Sequence, residues 1–186
     1  MSQTPGTPDS STPGDTGAAK PAVDVTDDPT MVEKVTNVMD DVDIAMVTTL
    51  DSASSSGRLV SRPLSTQRAE DNGDVLFLTR RDTPFVRDIG ANPQVNVAYS
   101  SNKAWVSLAG EARVVEDRAL VEQLWSAGAS AYMEGGPDNP DNVVVRVAGD
   151  TAELWGGESL VGSAVQMVRA MTGNRDDDGT TVVDLP

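Results

Sequence analysis

The sequence predicts a mainly β domain with peripheral helices (α+β), built as a six- to seven-stranded antiparallel sheet or small barrel. Three observations predict it. Runs rich in β-branched residues recur along the chain, and Gln94-Val95-Asn96-Val97-Ala98-Tyr99 alternates cleanly with a period of two. Most successive runs are joined by turn-forming stretches rather than helices, which argues against a parallel βαβ fold. The 186 residues suit one domain with tails, large enough to bury a core without staples.

Residues 1–27 are rich in Pro, Gly, Ser, Thr and Asp. They hold little apolar surface to offset the entropy of ordering, so the sequence reads as a disordered N-terminal tail. The domain is expected over residues 28–156. Asp28 is an N-cap with Pro29 at the first helical position, and Val32, Val35, Met39 and Val42 follow at helical spacing. Ile44 to Leu50 is a strand. Asp51 to Gly57 is a Ser-rich turn, and Arg58 to Gln67 is the second strand. Asn72-Gly73 marks the next turn and Val75 to Thr79 the third strand.

Thr83-Pro84 opens a short helix with Phe85, Val86 and Ile89 on its apolar side. Gln94 to Tyr99 is a half-buried strand, and Ala104 to Val115 a long one with a bend expected at Gly110. Asp117 caps a helix carrying Leu120, Leu124 and Trp125, and Ala127 to Asn142 reads as a loop. Val143 to Val147 is a strand, which Thr151 to Trp155 either continues or joins as a partner. Residues 157–172 read as a C-terminal helix, and 173–186 as an acidic disordered tail.

Composition narrows the chemistry. There is no cysteine and no histidine, which removes disulfides, thiolate chemistry, most zinc sites and the commonest general base. The formal net charge of −15 disfavours nucleic acid and anionic membranes as partners. Only three lysines occur, a bias that fits a GC-rich genome or high-salt adaptation. No stretch approaches the roughly 20 apolar residues that span a bilayer, and the N-terminus lacks the features of a signal peptide. The expectation is a soluble cytoplasmic protein. Asp40, Asp41 and Asp43 lack a calcium-loop pattern, so no metal site is expected.

One stretch asks for more than a fold. Arg58 to Gln67 holds two arginines, a proline and several hydroxyls that a buried strand does not need. Pro63 removes a ladder donor and points to an edge or a bulge, where main-chain groups and re-aimed side chains meet a ligand. Arg62 offers a planar donor fork suited to phosphate. The helix start at Thr83 offers N–H groups to an anion.

These residues stand within an ordered series. Gly57-Arg58-Leu59-Val60-Ser61-Arg62-Pro63-Leu64 is followed by Leu76-Phe77-Leu78-Thr79-Arg80-Arg81-Asp82-Thr83-Pro84, then by Asn92 to Ser100, Val106 to Asp117, Leu124-Trp125 and Ala152-Glu153-Leu154-Trp155. Across residues 30 to 156 the series resembles the pyridoxamine 5′-phosphate oxidase-like flavoproteins with a split β-barrel, most of all their general stress protein branch. The resemblance implies a homodimer with FMN at the subunit interface. It implies that Arg62, Pro63, Leu64 and Gln67 line the flavin, with Arg62 near the phosphate. Leu78 and Thr79 would lie against the ring or ribityl chain, and Arg81 and Thr83 would belong to the phosphate turn. Trp105 would approach from across the dimer.

One departure stands out. The family commonly has lysine where this chain has Phe85, and phenylalanine cannot pair with phosphate. A deazaflavin is therefore the alternative cofactor, and a lysine at 85 is expected to tighten FMN. Three functions follow: a flavin-dependent oxidoreductase, a flavin-binding protein without turnover, or a cofactor-free interaction module. The catalytic residue stays unassigned, because a flavin supplies the redox chemistry itself.

Overall fold

The structure is a computed structural model and describes residues 25–26, 28–69, 73–156 and 181–185. Helix α1 (Pro29–Asp40) begins where the sequence places it: Asp28 accepts from the Thr30 N–H, and Pro29 occupies a position that needs no donor. Strands β2 (Ile44–Leu50), β3 (Leu59–Ala69) and β4 (Val75–Arg80) follow. Helix α2 (Pro84–Ala91) leads to β5 (Gln94–Ser100) and β6 (Ala104–Val115). Helices α3 (Arg118–Leu124) and α4 (Ala127–Tyr132) precede β7 (Asn142–Gly156).

Six strands close on themselves in the order β7-β4-β3-β2-β5-β6 and back to β7, all antiparallel. The predicted mainly β fold with peripheral helices is thus a closed barrel. Closure depends on β7, whose fifteen residues reach β4 along one edge and β6 along the other. The 143–147 and 151–155 segments are one continuous strand. The expected bend at Gly110 is a register shift in the β6–β7 ladder. The Ala148 carbonyl approaches so closely there that a Cβ at position 110 has no room.

Opposed residues of antiparallel strands share a face. Val47 faces Val97 and Val97 faces Leu108, and all three are fully buried. This inner face carries Phe77, Tyr99, Val106, Val145 and Val147, and α1 and α2 add Val35, Met39, Phe85 and Ile89. A second cluster lies on the outer surface of β4 and β7, where Leu76, Leu78 and Val144 pack under Val121 of α3.

The structure departs from the sequence reading in three places. Ala127–Tyr132 is helical, not loop: Ser126 accepts from the Ala129 N–H as N-cap, and three alanines favour the turn. Two more strands join the six of the barrel. Val25–Thr26 (β1) and Thr181–Asp184 (β8), assigned to the tails, pair parallel with each other, and β8 also pairs with β7. Both runs hold β-branched residues that suit strands, but they are short and set in polar tails, and the edge of β7 supplies the partner for β8. The C-terminal helix expected over 157–172, and most of both tails, lie outside the described residues.

Candidate functional site

The ladder between β3 and β4 is short. Only Thr66, Arg68 and Ala69 take partners from β4, and the register slips at Gln67. Leu59 to Ser65 pair with β2 alone, and Leu78 to Arg80 with β7 alone. Among the described residues the two strands part here, as a split barrel does. The parting strands are those that carry Arg62-Pro63-Leu64 and Leu78-Thr79. Of the edge or bulge expected at Pro63, the structure gives the edge, since Pro63 has no β4 partner. The register slip lies four residues later, at Gln67, whose side-chain amide donates to the Ser65 carbonyl at 3.1 Å.

Arg62 stands opposite Val47 and therefore on the inner face. Its Nη1 donates to Thr49 Oγ1 at 2.8 Å, and its Nη2 to Asp88 Oδ2 at 2.6 Å. Asp88, on α2, is 2% exposed, while the Arg62 side chain keeps 23% of its surface. The carboxylate also accepts from Thr49 Oγ1 at 3.1 Å, from the Ser52 N–H at 2.9 Å and from Ser52 Oγ at 2.8 Å. Burial alone pushes the Asp88 carboxyl up. The two Ser52 donors, Arg62 and Thr49 outweigh it and hold the group down at about 2.

Sequence reasoning missed Asp88. A signal was present, since position 88 falls between Phe85 and Ile89 on the apolar side of the helix. A carboxylate placed there needs a buried partner.

The other predicted residues scatter more than the resemblance implies. Pro63 faces outward opposite Met46, and Leu64 packs against the core opposite Ala45. Thr79 is buried, 8% exposed. Leu78 faces the other way, into the cluster under α3. Arg81 is exposed and donates to Glu116 at 2.7 Å. The Thr83 hydroxyl caps α2, accepting from the Val86 N–H and donating to the Arg80 carbonyl. Arg80 pairs with Asp82, which lowers that carboxyl and raises the guanidinium.

Phe85, the departure from the family pattern, is 2% exposed in the barrel core. The position points away from solvent, so a lysine there would bury its ammonium. That burial weighs against the expectation that lysine at 85 would meet a phosphate.

Trp105 stands apart. It is half exposed on β6, opposite Trp155 of β7. Two strands, β5 and β2, separate it from β3, or about 14 Å at the usual strand spacing. One chain does not bring Trp105 to Arg62. The Trp105–Trp155 pair went unnoticed because it depends on the β6–β7 register.

Three comparisons with known proteins bear on this chain. A family model described as "Pyridoxamine 5'-phosphate oxidase like" matches residues 30–178. The chain belongs to that family. Among solved structures, this pyridoxamine 5′-phosphate oxidase-like chain is similar to a putative general stress protein 26 from Jannaschia sp. CCS1. Identity is 21%, the TM-score is 0.62, and the match covers 84% of this chain and 99% of that one.

It is also similar to the general stress FMN/FAD binding protein from Xanthomonas citri. There the identity is 26% and the TM-score 0.57, covering 69% of this chain and 89% of that one. A sequence relative is the protein bli-3 of Neurospora crassa, 31% identical over 119 residues, or 58% of this chain. The chain spans 56% of that protein's length. Among the described residues no helix is long and apolar enough to cross a membrane, and no group of acidic residues could hold a metal ion.

Proposed function

We propose that this chain binds a flavin, FMN by preference, where β3 and β4 part, and that it works as a cytoplasmic homodimer in flavin-dependent oxidoreduction. The observation that carries this reading is the short β3–β4 ladder. It leaves the Arg62–Leu64 and Leu78–Thr79 segments without ladder partners from each other, next to the capped start of α2. Similarity to a protein described as FMN/FAD binding supports the same ligand class.

The donor set fits such a group in part. A guanidinium has five N–H donors. Thr49 and Asp88 engage Arg62 through its two terminal nitrogens, and the side chain remains partly exposed. Arg62 would hold the phosphate, with main-chain groups of β3 along the flavin edge. Pro63, Leu64 and Gln67 would line one wall and Thr79 the other. Arg81 and Thr83 would stand at the phosphate turn, and Arg81 would first have to leave Glu116. Trp105 would reach the flavin from the partner subunit, because its own β3 lies too far away. When bound, the flavin supplies the hydride or electron chemistry. The protein orients it and excludes water.

Titration of the purified protein with FMN, riboflavin and a deazaflavin tests the reading. Uptake of FMN is expected, and Arg62→Ala should weaken it by about 1.5–3 kcal/mol, the worth of a charge-assisted contact. A chain that takes up none of the three refutes flavin binding. One that takes up only the deazaflavin reassigns the cofactor. Oxidation of a reduced nicotinamide by the loaded protein would distinguish turnover from storage.

A further inference from the structure

We infer that Asp88 is the positioning residue for Arg62, and that the chain's preference for a phosphate-bearing flavin depends on it. The inference rests on the flavin reading above and adds a residue to it that touches no ligand.

The argument begins with the cost of the arrangement. A carboxylate 2% exposed inside a barrel is unfavourable unless every lone pair is used and a counter-charge is close. Asp88 meets both conditions with four donors drawn from three places: Thr49 on β2, Ser52 on the following turn, and Arg62 on β3. The apolar neighbours Phe85 and Ile89 show that this helix face otherwise packs as core. Asp88 fixes one edge of the guanidinium from the buried side. Thr49 fixes a second point, accepting from Arg62 and donating to Asp88. A planar fork pinned at two points has one orientation, and its remaining donors face away from the pins. An anion then meets an arginine that loses little freedom on binding.

The division of donors makes the prediction specific. Oδ1 takes the Ser52 N–H and hydroxyl, and Oδ2 takes Arg62 Nη2 and the Thr49 hydroxyl. Hydroxyls can turn to accept instead, but the Ser52 N–H and the Arg62 N–H cannot. An asparagine at 88 must therefore present its NH₂ to one of two obligate donors. The Ser52 amide belongs to the main chain, so Arg62 is the group that gives way.

The test compares FMN with riboflavin, which lacks the phosphate, in the full chain. The variants are Asp88→Asn, Thr49→Val and Arg62→Ala, with the Arg62→Ala/Asp88→Asn double variant. Dissociation constants come from flavin fluorescence, and melting curves confirm folding. Asp88→Asn is expected to raise the FMN constant about tenfold and to change the riboflavin constant less than twofold. Thr49→Val, which keeps the ion pair, should give a smaller change in the same direction and decides the matter if Asp88→Asn does not fold. The double variant should be no worse for FMN than Arg62→Ala alone.

Equal weakening of both flavins, or tighter FMN binding in Asp88→Asn, overturns the inference and leaves the flavin reading standing. So does a further loss in the double variant. A wild-type chain that takes up neither flavin overturns both.

Discussion

Replacing Asp88 by Asn also tests how far the barrel's stability depends on this one carboxylate. Its carboxyl is held at about 2 against an ordinary 3.8. At 1.36 kcal/mol per pH unit the difference is worth about 2–3 kcal/mol at neutral pH. Removing one partner of a buried pair costs about 3–5 kcal/mol, because the other charge is left behind. Arg62 retains 23% of its surface, so water meets part of its need. The lower end applies, and we expect a loss of about 3 kcal/mol at pH 7.

The sign of the pH dependence follows from the direction of the shift. A depressed carboxyl stabilises the fold above its unfolded value and loses that contribution as pH falls through the folded one. The gap between wild type and Asp88→Asn should be whole above about pH 5. It should narrow by about 1 kcal/mol at pH 3 and continue to close toward pH 2. Urea unfolding followed by tryptophan fluorescence at pH 7, 5 and 3 measures it. A gap under about 1 kcal/mol at neutral pH, or one that does not change with pH, would refute the reasoning.

Three further outcomes follow from the packing. Phe85→Lys should destabilise the fold by at least about 3 kcal/mol, the low end for losing a buried aromatic ring. It should not strengthen FMN binding, as melting and titration will show. Tyr99 is buried with its phenol pushed up to about 12, burial being the main cause and Thr66 opposing it. Its contribution is whole below pH 10 and is lost as pH rises toward 12, about 2–3 kcal/mol in all. Tyr99→Phe should flatten alkaline unfolding over that range.

Asn142 is fully buried and its amide donates to the Glu134 and Gly136 carbonyls. Asn142→Ala should cost about 1–3 kcal/mol. It should also open the 134–141 segment to limited proteolysis, while Arg118 still holds Pro137 and Asn139.

The sequence made some of this legible and hid the rest for physical reasons. Strands β5 and β6 show their inner face by alternation, because one side is core and the other is not. Asp28 and Thr83 announce two helix starts because capping is local chemistry. Strand β8 was overlooked: its β-branched Thr181-Val182-Val183 is short and set in an acidic tail, and its partner on β7 lies more than twenty residues away. Arg62 was legible as an unusual residue, but its partner was not. The pairing with Asp88 spans 26 positions and exists only once α2 folds back over β2 and β3. Leu78 and Thr79 looked equivalent as neighbours. Strand geometry sends them to opposite faces, and only the folded sheet shows that Leu78 is the one that packs into the cluster under α3.

Where β3 and β4 part, the barrel carries a hazard as well as the proposed flavin site. Leu59 to Ser65 present one edge with no ladder partner from β4, and an unpaired edge is a template for strand addition by another chain. This edge is poorly suited to that use. Pro63 has no N–H to offer, and Arg62 sets an inward-pointing charge in the strand, two of the devices that blunt exposed edges. The residues that look odd in a strand therefore have a second consequence. They leave the edge without a full set of ladder donors and so discourage the chain from assembling with itself through backbone pairing. Replacing Pro63 by Val would restore the missing donor and should raise aggregation on heating, even with the barrel intact.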